Sequence, residues 1–228
     1  QIVDLSGAAF ALQHGVDALL LPADEELWDA AKKISGERVS VQLGEKKAEQ
    51  TLVMANVTNV ESGGVGERIC VDLTERLSER EGMLIGSSAN ALVLIHGETI
   101  PSEYVPSRPF RVNAGAVHAY CLMADGSTKY LSELTAGDQV AIANSSNEIR
   151  SATIGRLKIE RRPFLLVQFQ WDNQPAQVLM QQAETVRFIN DEGNISVTSI
   201  QSGDKIAVRF SSGMRHIGRE LAGEMEER

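Results

Sequence analysis

The sequence predicts an α+β protein: the end of an α/β layer, followed by a mostly β half that contains a duplicated strand module. A short apolar run at 16–21 lies between two segments whose apolar residues recur at helical spacing. After residue 40, strand-like runs alternate with turn residues. A Gly-Asp pair then recurs 66 residues apart, each time just before an alternating strand.

The α/β character is confined to residues 1–40. Apolar residues recur at helical spacing over 5–12 and again over 25–31. The run between them, VDALLL, is typical of a parallel strand that is buried on both faces. Such a strand needs neighbours, and the chain begins with Gln1 inside this rhythm. We therefore expect upstream sequence, or a second subunit of a homo-oligomer, to complete the layer and a substrate cleft beside 22–24.

Three further segments follow. Residues 41–125 are predicted as a β-rich core that carries the candidate site, and 126–210 as a small β-barrel-like module with an internal repeat. The repeat pairs YLSELTAGDQVAI at 130–142 with SVTSIQSGDKIAV at 196–208. In each copy a glycine gives the backbone freedom that a tight turn needs, and an aspartate caps the turn. Residues 211–228 are charged and are predicted as a helical tail.

The composition narrows the range of partners. The net charge of -9 makes nucleic acid an unexpected partner, because an acidic chain repels phosphates. No basic cluster or long apolar run predicts a membrane contact. A local arginine cluster can still hold an anionic small molecule. The two cysteines, Cys70 and Cys121, lack zinc-site spacing, which favours buried thiols in a reducing, cytoplasmic compartment.

A histidine and a glutamate define the first candidate site. His96 and Glu98 flank Gly97 at the end of a strand-like run. Alternate residues of a strand share a face, so this pair suits a divalent metal or acid/base chemistry. A hydrogen bond at the surface is the alternative interpretation.

Arginines define the second candidate site. Arg108, Arg111 and Asn113 lie in a proline-bounded segment that leads to His118. Two guanidinium groups held in such a segment suit a substrate carboxylate or phosphate. The alternative is that the two arginines brace a loop.

A lysine defines the third candidate site. In GRLKIERRP, strand alternation places Arg156, Lys158 and Glu160 on one face. A lysine held by a glutamate suits a Schiff base or an anion contact. A cross-strand ladder of ion pairs is the alternative. Glu184 in QQAETVR is either a ligand or base, or a solvated loop acid.

A set of motifs in one order along the chain resembles the archaeal-type dehydroquinate synthases, also called dehydroquinate synthase II. The resemblance runs from about residue 1 to the end, and as a set the motifs are highly specific. They are GERICVDL (66–73), GMLIGS (82–87), RPFRVNAG (108–115), HAY (118–120), KYLSEL (129–134) with its Gly-Asp pair, GRLKIERRP (155–163), QQAETVR (181–187) and RHIG (215–218).

The resemblance implies a ring-forming enzyme of aromatic amino acid biosynthesis, in the shikimate pathway. Members oxidatively deaminate an amino-dideoxy-heptulosonate with NAD and close the ring by an intramolecular aldol step. A related branch makes 3-amino-4-hydroxybenzoate from a phosphorylated amino C7 substrate and relies on a divalent metal such as manganese. On the matching motifs we expect substrate contacts from Arg108, Arg111, Asn113 and Arg156, catalysis by His96, Glu98, His118 and Lys158, and Mn²⁺ or Mg²⁺ ligands in His96, Glu98 and His118.

Two departures from the family pattern bear on these expectations. Family chains carry a longer N-terminal α/β part, so the NAD site is unaccounted for here. Gly97 stands where the dehydroquinate-forming branch is expected to carry serine, which favours the aminohydroxybenzoate branch. A non-catalytic β-barrel module that only binds a ligand is a further alternative. Convergence of the candidate histidines, glutamate and arginines around one cavity would favour the enzyme.

Overall fold

The computed structural model describes residues 28–29, 51–101 and 105–211, together with the backbone of 214–216 and 219–221. The chain divides into two compact units, Gln1–Glu49 and Gln50–Arg228. In the first unit only Trp28 and Asp29 are described, and both are helical. The predicted α/β layer therefore lies almost wholly outside the described residues.

The described part of the second unit is a β structure in which every strand pairing is antiparallel. This confirms the prediction of a mostly β half. Among the described residues of this unit, one 3₁₀ turn, Leu131–Glu133, interrupts the strands. The strands are β1 (Leu52–Leu73), β2 (Glu81–Ser88), β3 (Ala91–His96), β4 (Arg111–Ala116), β5 (Tyr120–Leu122), β6 (Thr128–Tyr130), β7 (Gln139–Asn144), β8 (Ile149–Trp171), β9 (Gln174–Gln181), β10 (Arg187–Asn190), β11 (Gly193–Ser196), β12 (Lys205–Phe210), β13 (Met214–His216) and β14 (Arg219–Leu221).

Six strands close into a ring. β1 pairs with β12 and β8, β8 with β7, β7 with β2, β2 with β3, and β3 with β12. Alternate apolar residues of these strands fill one core cluster, with Val71, Met83 and Val93 all fully buried. β2 and β3 also bury their other face, where Leu84 and Leu94 belong to a second cluster. Burial on both faces explains why 83–95 reads as a nearly continuous apolar run.

The long antiparallel ribbon of β1 and β8 places the candidate site. The two strands stay paired from Asn56 opposite Gln170 to Leu73 opposite Ile154. At one end of the ribbon β4 adds to the free edge of β1, and near the other end β9 adds to β8. Three neighbouring strands, in the order β4-β1-β8, therefore lie side by side over 68–72.

Both Gly-Asp turns have the predicted geometry. Gly137 and Gly203 each have a φ of 96°. The Asp138 carboxylate accepts the backbone N–H of Thr135 at 2.9 Å, and Asp204 accepts that of Gln201 at 2.8 Å. The first turn leads into β7 and the second into β12. The prediction of a glycine-dependent turn capped by aspartate is confirmed at both positions.

The predicted segments can be compared with the described strands. From Gln50 onward, 41–125 and 126–210 belong to one compact unit and contribute strands to one sheet, and their division into two segments stays a prediction. The predicted helical tail is wrong where the structure describes it, because 214–216 and 219–221 pair as antiparallel strands. The glutamates that favoured a helix lie mostly after residue 221. Among the described residues, no helix has the length and apolar character needed to cross a membrane.

The two Gly-Asp turns make a prediction about stability. Gly137→Ala and Gly203→Ala should each lower the free energy of unfolding by about 1–2 kcal/mol, because an L side chain is strained at positive φ. A Cβ at either position would meet no atom within 4 Å, so the cost is in the backbone alone. Urea unfolding measures the effect. Asparagine tolerates this conformation better, so equal losses for Ala and Asn would contradict the assigned φ.

Candidate functional site

One face of the β4-β1-β8 strands carries a grid of polar side chains, here called the basic face. In an antiparallel pair, residues directly opposite each other share a face. Asp72 lies opposite both Arg111 and Arg156, and Cys70 opposite both Asn113 and Lys158. Arg68 lies opposite Glu160. The intervening residues of β1, Ile69 and Val71, point into the core. The basic face consists of Arg68, Cys70, Asp72, Arg111, Asn113, Arg156, Lys158, Glu160 and Arg162, with Glu98 and Arg108 beside β4.

Asp72 is the centre of this grid. Its carboxylate accepts N–H groups from Arg111 at 2.6 and 2.9 Å and from Arg156 at 2.9 and 2.5 Å. Burial raises the pKa of Asp72, but the hydrogen bonds from Arg111 and Arg156 outweigh that and hold the pKa below its ordinary value. Asp72 also raises the pKa of Arg111 through the same hydrogen bonds. Asp72 and Arg111 are therefore both charged at neutral pH.

Glu98 and Arg108 extend the basic face beyond β4. The Glu98 backbone N–H donates to the Arg111 carbonyl at 2.8 Å, and the Arg108 N–H donates to the Glu98 carbonyl at 2.6 Å. The Glu98 carboxylate is buried, with Oε2 2.9 Å from Arg108 Nε, an ion pair whose angles do not make a hydrogen bond. Burial raises the pKa of Glu98, and the nearby arginines only partly offset this. The result is a buried carboxyl group with one oxygen that has no hydrogen bond.

A second row of the grid surrounds Cys70. Arg68 contacts the Cys70 thiol through Nη1 and donates to Glu160 at 2.5 Å through Nη2. Burial raises the pKa of Cys70, so the thiol is protonated at neutral pH. Asn113 donates to Gln181 at 2.8 Å, which joins β4 to the end of β9. The Asn113 Oδ1 and Arg68 Nε atoms are buried without a hydrogen-bond partner.

The outer edge of the basic face is cationic and accessible. Lys158 lies 3.0 Å from Glu160, which confirms that the two side chains share a strand face. The side chains of Arg156 and Lys158 are 66% and 47% exposed. The face holds six basic side chains and three carboxylates, an excess of three positive charges on a chain of net charge -9. A concentrated positive patch of this kind attracts an anion even on an acidic protein.

The predicted metal ligands do not gather in the same way. His96 is buried, and its charged neighbours are Arg187 and Glu79, whereas those of Glu98 are the arginines of the basic face. His118 is exposed and follows β4. The residues that the structure describes contain no group of three His, Cys, Asp or Glu side chains that could hold a metal ion. The role of His96, Glu98 and His118 as metal ligands stays a prediction.

Local structure explains why His96 and Glu98 diverge. Strand β3 ends at His96, and the Gly97 N–H donates to the Glu81 carbonyl at 2.9 Å. Gly97 packs against Leu77, and Glu98 pairs instead with Arg108 as an isolated bridge. The strand alternation assumed from the sequence therefore ends at His96 and does not extend to Glu98. Glu184, the remaining candidate acid, is exposed.

Sequence reasoning missed the central residue. The sequence pattern predicts no role for Arg68 or Asp72 beyond their place in GERICVDL, and it predicts Cys70 only as a buried thiol, which the structure confirms. Their signal was present, because polar residues at 68, 70 and 72 alternate with the apolar Ile69 and Val71. Charged residues on one face of an otherwise apolar strand predict a polar face that needs partners from neighbouring strands.

The buried Asp72–Arg111 pair predicts how the free energy of unfolding depends on pH. Because its folded pKa is depressed, Asp72 stabilises the fold fully above about pH 4, the ordinary range of aspartate, and loses this as pH falls through the lower folded value. The neutral double variant Asp72→Asn/Arg111→Met lacks that contribution, so its free energy of unfolding should fall less steeply below pH 4 than that of the wild type. Denaturant unfolding at several pH values measures the slopes. Arg111→Met alone should cost about 1–3 kcal/mol at pH 7, since it leaves Asp72 Oδ1 without its donor while Arg156 still pairs the charge. Parallel pH curves for wild type and double variant would contradict the assignment.

Comparison with known proteins places these motifs in one family. Residues 54–228 match the family model described as the 3-dehydroquinate synthase II C-terminal domain. The 3-dehydroquinate synthase of Methanosphaera stadtmanae is 43% identical over 220 residues, which cover 95% of this chain and 59% of that protein. The 3-dehydroquinate synthase of Methanobrevibacter smithii is 43% identical over 221 residues, which cover 95% of this chain and 58% of that protein. The chain thus spans less than two thirds of the length of these relatives. No solved structure matches the chain significantly. The expected resemblance is confirmed, and the chain belongs to the 3-dehydroquinate synthase II family.

Proposed function

We propose that this chain forms part of a ring-forming biosynthetic enzyme that converts a linear C7 amino keto acid into a six-membered ring, as a 3-dehydroquinate synthase of the second type does. The observation that carries the proposal is the basic face, which gathers positive charge around buried carboxylates and is built mainly from three of the motifs of the family. The names of the relatives support the same activity.

The basic face has the groups that such a substrate requires. Arg156 and Lys158 are accessible cations for its carboxylate, with Arg108 at the side of the face. Arg111 has a different role from the one predicted, because Asp72 occupies its guanidinium. It supplies buried positive charge rather than a free contact. Asn113 offers an unpaired carbonyl oxygen that suits a substrate hydroxyl.

Ring closure needs a proton removed from carbon beside one carbonyl and a proton delivered to the oxygen of the other. Glu98 is the described carboxylate best placed for proton transfer, since its Oε2 is buried within the arginine cluster and makes no hydrogen bond. The new bond joins the resulting carbanion to the second carbonyl carbon, and the protons taken up and released balance. The neighbouring arginines stabilise the negative charge that develops on oxygen.

The expected cofactors are not assigned a step. The described residues provide no three-ligand metal group, and their antiparallel strands provide no strand-turn-helix unit of the kind that binds a dinucleotide. Bound NAD would accept the hydride of an oxidative deamination, and a bound divalent ion would polarise a carbonyl. Use of NAD and of Mn²⁺ or Mg²⁺ stays a prediction.

Gly97 favours a second candidate within the same chemistry, a synthase of 3-amino-4-hydroxybenzoate. The family resemblance puts serine at this position in the dehydroquinate-forming branch. Here an added Cβ would collide with the Leu77 side chain and lie 3.4 Å from the Glu81 carbonyl, so the local packing is built for glycine. The non-catalytic module is disfavoured, because Glu98, Arg108 and Arg111 converge, although the two histidines lie elsewhere.

Turnover tests the proposal. The full-length protein is incubated with the non-phosphorylated and the phosphorylated amino C7 substrates, with and without NAD and Mn²⁺, and products are identified by mass spectrometry. A dehydroquinate product that requires NAD supports the first candidate, and an aminohydroxybenzoate that requires metal supports the second. If neither substrate yields a cyclic product under any condition, the proposed function is wrong.

Lys158 gives a separate prediction about mechanism. If Lys158 forms a Schiff base, borohydride reduction with substrate present should leave a covalent adduct on this residue, and Lys158→Ala should abolish turnover. If Lys158 is an anion ligand, no adduct forms and Lys158→Ala raises KM about tenfold, the scale of a charged hydrogen bond. Lys205→Ala, an exposed lysine on β12, is the matched control. Unchanged kinetics in Lys158→Ala would remove the residue from the site.

A further inference from the structure

We propose that Asp72 is a positioning residue whose function is to hold the guanidinium of Arg156 in place for the anionic group of the substrate. This inference rests on the proposed function for the identity of the substrate. The ligand group is a carboxylate or a phosphate, which share the charge and the acceptor oxygens that a guanidinium binds.

The geometry departs from that of an ordinary buried ion pair. Arg111 alone satisfies Asp72, because it donates from two nitrogens to both carboxylate oxygens. Fold stability requires no second guanidinium on that carboxylate. Arg156 nevertheless donates two further N–H groups to Oδ2. Asp72, Arg111 and Arg156 together therefore carry one excess positive charge, and that charge is on Arg156.

Arg156 connects the buried carboxylate to solvent. The side chain of Asp72 is 6% exposed, whereas that of Arg156 is 66% exposed. A guanidinium has five N–H groups, and the two directed at Asp72 leave three for a ligand. A free arginine at such exposure samples many rotamers, and ordering it on binding opposes affinity. Asp72 removes this cost in advance by fixing the guanidinium plane.

Lys158 supplies a second cation beside Arg156 for the anionic group of the substrate. It follows Arg156 by two residues on the same strand face, a separation of about 7 Å along a strand. Its ammonium group is oriented by Glu160 at 3.0 Å, as Arg156 is oriented by Asp72. Two accessible cations, each held by its own carboxylate, flank one position on the surface of β8.

A positioning role and a purely electrostatic role of Asp72 predict opposite effects of Asp72→Asn on anion affinity. If Asp72 is only a counter-charge, then Asp72→Asn makes the face more positive and an anion should bind more tightly. If Asp72 orients Arg156, the same change should weaken binding despite the added positive charge. Glu67→Gln is the matched control, because Glu67 is exposed on the same strand, carries the same charge, and lies opposite Arg161 rather than Arg156.

The experiment measures binding of malonate and of inorganic phosphate to the full-length protein by calorimetry at low ionic strength. Asp72→Asn should weaken the better-bound anion about tenfold, the scale of one bidentate arginine contact, while Glu67→Gln leaves it unchanged or tighter. In an Arg156→Gln background the effect of Asp72→Asn should vanish, since the two residues act as a unit. Comparison of the two anions distinguishes carboxylate from phosphate as the group recognised.

A second variant keeps the test decisive if Asp72→Asn fails to fold. Asp72→Asn/Arg111→Met removes both members of the buried pair, leaves the net charge unchanged, and should also weaken anion binding. Anion affinity equal to or above that of the wild type, in whichever of the two variants is folded, overturns the inference, as does a wild type that binds neither anion. A wild type that binds anions as expected but forms no cyclic product overturns the proposed function and leaves this inference standing.

Discussion

The antiparallel pairing of β1 with β8 is the constraint on which the rest of this unit depends. Its two strands join the six-stranded ring at opposite ends of the ribbon, β1 by pairing with β12 at 52–56 and β8 by pairing with β7 at 149–153, and their inward residues belong to the core. β4 pairs with β1 at 68–72, and there the side of the sheet that faces away from the core carries the basic face. Because side chains alternate with a period of two, a shift of one residue in register would send Asp72 into the core and Val71 to the polar side. The core and the candidate site thus depend on the same register.

The basic face shows how a sheet can bury charge. Arg68, Asp72 and Arg111 are nearly inaccessible, and isolated charges at such depth would be strongly unfavourable. Each therefore meets an opposite charge on the neighbouring strand, and the exposed residues of β8 connect this interior network to solvent. Some groups stay incompletely satisfied, among them Asn113 Oδ1 and Glu98 Oε2. Four of the ten buried side-chain atoms without a hydrogen-bond partner among the described residues lie on the basic face, and a molecule that binds there would supply the missing partners.

Features governed by neighbouring residues could be predicted from the sequence. The Gly-Asp turns and the shared face of Lys158 and Glu160 depend on local backbone chemistry and strand alternation, and both are confirmed. The predicted pairing of His96 with Glu98 depends on where β3 ends, and strand ends depend on packing against residues such as Leu77, distant in sequence. The role of Asp72 could not be assigned for a related reason. Its partners Arg111 and Arg156 are 39 and 84 residues away, and only the topology brings them together.

The topology also explains why the motifs are informative only as a set. GERICVDL forms β1 at the site, RPFRVNAG leads into β4, and GRLKIERRP lies in β8. QQAETVR begins at Gln181, which accepts the hydrogen bond from Asn113. Three segments of the sequence thus meet on one face of three adjacent strands, and the fourth contacts that face through Gln181. An exposed arginine or lysine in any one of them has an ordinary explanation at the surface. Taken together, the segments place complementary charges opposite one another on neighbouring strands. That arrangement, rather than any one residue, connects this sequence with a single site.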